Sequence, residues 1–497
     1  MGIMSDVRRW WALAAVSLAT FVAGLDNSVV NVALPTIQRE LGLTMSGLEW
    51  VVSGYVLVFA GLMLVGGRLA DVYGRRRVFR AGLAVFTAAS LLAGLSPTGP
   101  VLIASRGLQG LGAALLTPAA LAILPAVFVQ RRERDRAVGL WSAVGALALA
   151  VGPVTGGLIA ERWGWAWIFF INLPLGVAAY LVAGYAVPKP VPAAGTAPVT
   201  GHVRRRLDLP GLATSTIALI GLTYALIEGT GRGWSSPVIL GSLGVAAVGA
   251  GLFVAVEART NDPMIDLSLF GKRGFVGGTL ILGLWSFGVF GVYFFTALYL
   301  QHSVGLSPTA AGAAFVPLAV VTAATAMLAG TVTHRLGTAR TVATALAIMA
   351  AAIFGVAQAG EHATLADLMP WLLAYGAGAG LLVPLNSAVL GMLPPARSGA
   401  ASGVLNASRE MFGLFGVTVL GAILAARQTT LIHQGYQPLP AFVAGYQLAL
   451  IVAAIIIAAG IPLSLYALRR GHTQPATSPI PHSRPASAPE AAAVPAV

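Results

Sequence analysis

Cysteine is absent from the 497 residues, and lysine occurs only twice. Without cysteine there is neither a disulfide framework nor a thiolate metal site, and the redox compartment leaves no mark on the chain. The seven histidines are scattered, with no HExxH pair, so no metal site is expected. The one Gly-Lys pair, Gly271-Lys272, is followed by Arg273 rather than Ser or Thr. A glycine loop that cradles ATP phosphates is therefore missing. Charge is scarce as well: 9% of residues are charged, against roughly 25% in a soluble domain. In their place stand 57% hydrophobic residues, 60 glycines and 29 prolines, with a mean hydropathy of +0.82. That is the composition of a protein dissolved in a lipid bilayer.

An apolar run of about 20 residues crosses a bilayer as a helix. Fourteen such runs lie near 11–34, 48–67, 79–96, 101–125, 137–160, 166–187, 209–228, 236–256, 274–299, 310–330, 339–358, 368–391, 400–425 and 443–468. The first is too long for a cleavable leader and carries Asp26 where a small-residue cleavage site would stand. The net charge of +13 raises the question of nucleic acid, which the placement of the charges answers. Twenty-four of the 30 basic residues fall on the side where the chain begins and ends, four fall opposite (Arg39, Arg162, Arg232 and Arg427), and two, Arg106 and Arg409, fall inside spans. This is positive-inside asymmetry, so both termini are expected in the cytoplasm and no nucleic-acid partner is expected. The Pro-rich, basic stretch 188–208 reads as a cytoplasmic connection, and the Pro-, Ala- and Ser-rich tail 471–497 reads as disordered.

Between spans two and three the chain reads Leu64-Val-Gly-Gly67-Arg-Leu-Ala-Asp71-Val-Tyr-Gly74-Arg75-Arg76-Arg77. Glycines seven apart allow close approach at both ends of a tight turn, and Asp71 can meet an arginine or a helix N-terminus. A basic loop serving orientation alone is the simpler reading. Between spans ten and eleven, however, Gly330, Gly337 and Arg340 repeat the spacing, with His334 in place of Asp71. Internal repetition of this kind is a property of transporter folds. The first copy resembles the loop motif of the major facilitator superfamily. The resemblance implies a clasp that latches two six-helix bundles in the outward-open state, made by Gly67, Asp71, Gly74, Arg75 and Arg76; His334 speaks against a symmetric second clasp.

Other stretches agree. Leu102-Ile-Ala-Ser-Arg106-Gly-Leu-Gln109-Gly110-Leu-Gly112 resembles the family's fourth-helix motif. Gly145 with Gly152-Pro153-Val-Thr-Gly156-Gly157 resembles its fifth-helix antiporter motif, although small residues four apart also serve plain helix packing. Leu25-Asp26-Asn27-Ser-Val-Val-Asn31-Val-Ala-Leu-Pro35 and Trp165-Ala-Trp167-Ile-Phe-Phe-Ile-Asn172-Leu-Pro174 resemble elements of the fourteen-span drug:proton antiporters, with Ala166 where that group usually has arginine.

An ionisable side chain inside a span is by default a functional site. Asp26 is pulled one way by loss of hydration and the other by any nearby cation, and a carboxyl balanced between the two can load and release a proton. Arg106 is the expected partner. A helix cap is the alternative for Asp26, and a fixed pairing with backbone carbonyls is the alternative for Arg106. In span thirteen, Arg409 and Glu410 point about 100° apart on a helix. Glu410 aligns with Asn406 and Gly413 and is expected to line the cavity for proton coupling or cation binding, with a salt bridge as the alternative. Asn27, Asn31, Asn386, Asn406 and Arg409 complete the cavity candidates. The aromatic residues of span nine, Trp285, Phe287, Phe290, Tyr293, Phe294, Phe295 and Tyr299, read either as cavity lining or, for Phe290 and Phe294, as a lipid-facing stripe. Gly376, Gly378 and Gly380 lie inside an apolar run and read as packing, and Glu228 reads as a solvated helix end.

The expected architecture is all-α with fourteen transmembrane helices: a six-helix bundle over 1–187, two additional spans over 209–256 and a second six-helix bundle over 257–470. The expected function is secondary export of drugs, antibiotics or related lipophilic molecules across the cytoplasmic membrane. It would be driven by the proton gradient without a cofactor, in a protein that works as a monomer and is not an enzyme. A metabolite or lipid exporter, and a non-transporting receptor or adaptor, remain as alternatives.

Overall fold

The computed structural model describes residues 6–188, 208–260, 263, 265, 267–393 and 398–468. The connection at 188–208 lies outside them except at its two ends, and the tail at 471–497 lies outside them entirely. The described residues are almost wholly helical, with no strand. Among the described residues, fourteen helices are long and apolar enough to cross a membrane: Val7–Leu41, Met45–Tyr73, Arg75–Gly94, Gly99–Val127, Arg132–Trp163, Trp167–Ala186, Leu209–Arg232, Pro237–Arg259, Arg273–His302, Pro308–Leu336, Thr338–Val356, Leu365–Leu390, Ala401–His433 and Pro438–Ala467. They are spans one to fourteen. Most outrun the apolar stretch that announces them, because a helix end in water can take polar residues while its backbone stays internally bonded. Span one thus continues through Pro35 to Leu41, which places Asp26 deep within a helix and removes the capping alternative.

The internal repeat is visible in the packing. In the first six spans, two and three pack on four, one packs on five and six, and three packs on six. Adding eight to each number gives the packing of the last six: ten and eleven on twelve, nine on thirteen and fourteen, and eleven on fourteen. Spans seven and eight form a hairpin outside this pattern, with span seven lying against spans two and thirteen and thus across a seam between the bundles.

Both copies of the loop motif turn at their second glycine, Gly74 with φ 94° and Gly337 with φ 82°. At the first glycine the expectation fails. A methyl group on Gly67 would meet only the Pro118 Cβ at 3.7 Å, while one on its neighbour Gly66 would collide with the Ala114 carbonyl. The close approach of span two to span four is therefore at Gly66. Gly74→Ala is expected to destabilise the protein by about 1–2 kcal/mol, the cost of a left-handed conformation for a residue with a Cβ. Thermal unfolding should show a lowered Tm for Gly74→Ala and an unchanged one for Gly67→Ala.

The bundles meet along spans two and thirteen, from Glu49 beside Gly421 to Leu64 beside Gly403, and again where spans one and five meet spans nine and ten at the ends remote from the basic face. There Gln301 Nε2 donates to the Val32 carbonyl at 2.9 Å, and the Thr309 amide donates to Glu161 Oε2 at 3.1 Å. Gly157 lies on the Pro308 carbonyl, and Gly312 lies on the Pro153 carbonyl. On the basic half of the same two helices, Gly139 and Gly330 have open space around them. Spans five and ten are thus joined at the far face, while neither of these two glycines on the basic half lies against a neighbour.

Candidate functional site

Asp26 and Arg106 are both 0% exposed, and they form a salt bridge from Arg106 Nη1 to Asp26 Oδ2. Asp26 Oδ1 accepts from Asn172 Nδ2 at 2.8 Å and from Gln109 Nε2 at 3.0 Å. Gln109 also accepts from Arg106 Nη1 at 2.8 Å and donates to Ser90 Oγ at 2.8 Å. The guanidinium donates from Nε to the Val51 carbonyl at 3.1 Å and stands over the Tyr55 ring at 4.5 Å. Spans one, two, three, four and six each supply a member. Helical geometry explains the assembly: Arg106 and Gln109 are three residues apart and share a face of span four. Every hydrogen bond at Asp26 is donated to it, so the arrangement suits a bare carboxylate. The network is enclosed within the first bundle rather than lining an open cavity.

Arg409 and Glu410 do meet, although they are adjacent on one helix. Arg409 curls back so that Nη2 and Nε reach Glu410 Oε1 at 2.6 and 3.1 Å. Glu410 is 2% exposed and its other oxygen has no donor, whereas the Arg409 side chain is 41% exposed. Asn27, Asn31, Asn386 and Asn406 are all half-buried. Asn31 donates to the Asn27 carbonyl at 3.5 Å and Asn406 to the Ser402 carbonyl at 3.0 Å, whereas Asn31 Oδ1 and Asn386 Oδ1 are buried without a donor. Phe294 is fully buried, which removes it from any lipid-facing stripe. Tyr299 stacks on Tyr446 with centroids 4.6 Å apart, while the Trp285 Nε1 and Tyr293 Oη atoms are buried without partners.

The antiporter-like element faces two ways. Methyl groups on Gly152 and Gly156 would collide with Ser28 and Val29 of span one, and one on Gly157 would strike Pro308 of span ten. Gly145 has ordinary room, its nearest neighbour being Thr20 Cγ2 at 3.5 Å. One helix face thus binds span one and the next closes the far seam between bundles. In the loop motif, Arg75 Nη1 donates to the Ala122 carbonyl at 2.8 Å and Arg76 Nη2 to the Gly184 carbonyl. Asp71 is exposed and has no partner among the described residues. The glycines of span twelve are packing residues: Gly376 lies on the Leu318 carbonyl and Gly378 on the Ala345 carbonyl. Glu228 is not simply solvated, since it accepts from Trp50 Nε1 at 3.0 Å and ties span seven to span two.

Four members of the polar interior are not singled out by the sequence reading. Gln109 and Asn172 stand inside the quoted motifs without an assigned role, and Ser90 has no signal beyond being a small polar residue in an apolar run. Glu49 is 2% exposed, lies beside Gly421 of span thirteen and leaves Oε2 without a donor. Its place near the start of span two makes it read as a helix end; Glu49 also borders a cleft of about 500 Å³ with Gln38, Thr230 and Gln428. No group of three or more potential metal ligands occurs among the described residues.

Multidrug resistance protein Stp of Mycobacterium tuberculosis is 35% identical over 416 residues, covering 83% of this chain and 75% of that protein. Puromycin resistance protein pur8 of Streptomyces alboniger is 34% identical over 462 residues, covering 91% and 90%. Among solved structures, a bacterial homolog of the human lysosomal transporter Spinster, inward-facing and occupied, superposes with a TM-score of 0.65 at 18% identity, covering 93% of this chain and 97% of that one. That likeness concerns the fold. The model of the Major Facilitator Superfamily matches residues 16–417. With this match across most of the chain, fourteen apolar helices and a doubled six-helix packing, the chain belongs to the Major Facilitator Superfamily of membrane transporters and is not an enzyme.

Proposed function

We propose that this protein exports antibiotics and related lipophilic small molecules from the cytoplasm in exchange for protons. It would act as a monomer in the plasma membrane with its basic face inward, without a cofactor. The observation that carries the reading is the enclosed Asp26–Arg106 pair in an arrangement whose spans five and ten are joined at the far face. A bare carboxylate held by Arg106, Gln109 and Asn172 is the form left after a proton has gone to the cytoplasm. Substrate then loads from the same side. When the far seam opens, Asp26 takes a proton from outside, its hold on Arg106 relaxes, and the return is driven by the gradient. Substrate and proton thus bias one two-state element in opposite directions. The substrate class is supported by the resistance proteins that resemble this chain over most of its length.

Inverted vesicles with an imposed proton gradient test the reading. Adding puromycin, other antibiotics and lipophilic cations should dissipate the gradient compound by compound. If none does so while direct uptake assays also show no flux, the export reading fails. The clasp has its own test. Asp71, exposed in this arrangement, becomes an acceptor when the basic side closes. Asp71→Asn is therefore expected to leave Tm unchanged and to lower export several-fold in the same vesicles.

A further inference from the structure

Three arginines converge on the basic face where spans one, three and six meet. Arg76 donates to the Gly184 carbonyl of span six. Arg80 stands over the Tyr180 ring at 4.1 Å, and Arg8 over the Tyr185 ring at 5.8 Å. The Arg80 guanidinium also lies against Gly184, where a methyl group would be 3.5 Å from its Cζ. The Nε atoms of Arg8 and Arg80 are buried without an acceptor. None of the three forms an ion pair with a carboxylate among the described residues; the nearby Glu133 is taken by Arg9 at 2.9 Å.

Like charges held together without a counter-ion repel one another, and the cost rises near a low-dielectric boundary. This corner is such a boundary. Tyr185 is 68% exposed, Leu181 one turn before it is exposed as well, and Trp10 and Trp11 are exposed in the first turns of span one, next in sequence to Arg8. Tyrosine and tryptophan at this level form the aromatic belt at which headgroups sit. Orientation alone requires basic residues on one face but does not require three of them to meet on one turn of span six, beside the exposed Tyr185 and the half-buried Tyr180. Guanidinium forks match phosphate oxygens two at a time, and basic pockets between transmembrane helices hold anionic headgroups.

We propose that Arg8, Arg76 and Arg80, with Tyr180 and Tyr185, form a binding site for the phosphate of an anionic glycerophospholipid in the leaflet at the basic face. Native mass spectrometry of the full-length protein tests it, using phosphatidylglycerol and phosphatidylcholine as probes at equal concentration. Phosphatidylglycerol should be retained in preference to phosphatidylcholine, and Arg8→Gln with Arg80→Gln should lower that retention about tenfold or more, each arginine near an anionic surface being worth on the order of fivefold. Arg39→Gln with Arg427→Gln, on the opposite face, should leave it unchanged. If the first pair does not fold, Arg8→Gln alone and Tyr185→Ala give the same comparison with less disturbance. Equal retention of the two lipids, or undiminished phosphatidylglycerol in the Arg8 and Tyr185 variants, overturns the site. Displacement of the lipid by millimolar inorganic phosphate overturns the lipid as its ligand and leaves a free-anion site.

Discussion

Asp26→Asn is expected to give a protein that inserts and folds but dissipates no proton gradient when substrate is added. Asparagine keeps an acceptor for Gln109 and Asn172, and Arg106 keeps the Val51 carbonyl, Gln109 and the Tyr55 ring. What disappears is the titrating group and the counter-charge of a fully buried guanidinium. Removing one partner of a buried pair costs roughly 3–5 kcal/mol, so a lower Tm should accompany the loss of coupling. Substrate-induced proton flux should fall to the level of vesicles lacking the protein. Arg106→Lys is expected to behave similarly, because an ammonium cannot reach the Val51 carbonyl, Gln109 and Asp26 with one planar fork. Normal gradient-driven export by a well-expressed Asp26→Asn protein would remove Asp26 from the mechanism.

Gly157→Leu is expected to hold the far side open. Any Cβ at this position would strike the Pro308 carbonyl, and neither partner is a flexible side chain that could move aside. The natural absence of cysteine makes the consequence directly measurable. A single Ala311→Cys, at a position fully buried in the first turn of span ten, should resist a membrane-impermeant maleimide added from outside. In the Gly157→Leu background it should label at least about tenfold faster, the change expected when a conformational equilibrium moves by only 1.4 kcal/mol. Export should be lost in parallel. Unchanged labelling together with normal transport would show that the seam accommodates the side chain.

Much of this was legible in the residues themselves. Fourteen spans follow from hydropathy because a bilayer demands long apolar runs with satisfied backbone. Asp26 and Arg106 stand out because charge inside such a run is expensive. Gln109, Asn172 and Ser90 do not, since neutral polar residues are common in membrane helices and acquire meaning only when five helices bring them to one carboxylate. Gly66 and Gly67 are chemically identical in sequence; only the rotation of span two places one of them on Ala114. The meeting of Arg409 with Glu410 depends on the path of a long side chain, which helical periodicity does not specify. Glu49 is hidden for another reason: it sits close to a helix start, yet span thirteen covers it.

The hairpin of spans seven and eight carries a mechanical consequence. Span seven touches both bundles, so any rocking between them must shear one of its two faces. Its contact with span two is pinned by Trp50 and Glu228 at 3.0 Å, whereas toward span thirteen Thr230 reaches the Ala422 carbonyl only at 3.4 Å. The face toward span thirteen is the one expected to slip. The extra pair is therefore expected to ride with the first bundle and to form a sliding bearing for the second, closing one flank of the seam against lipid as the bundles rock.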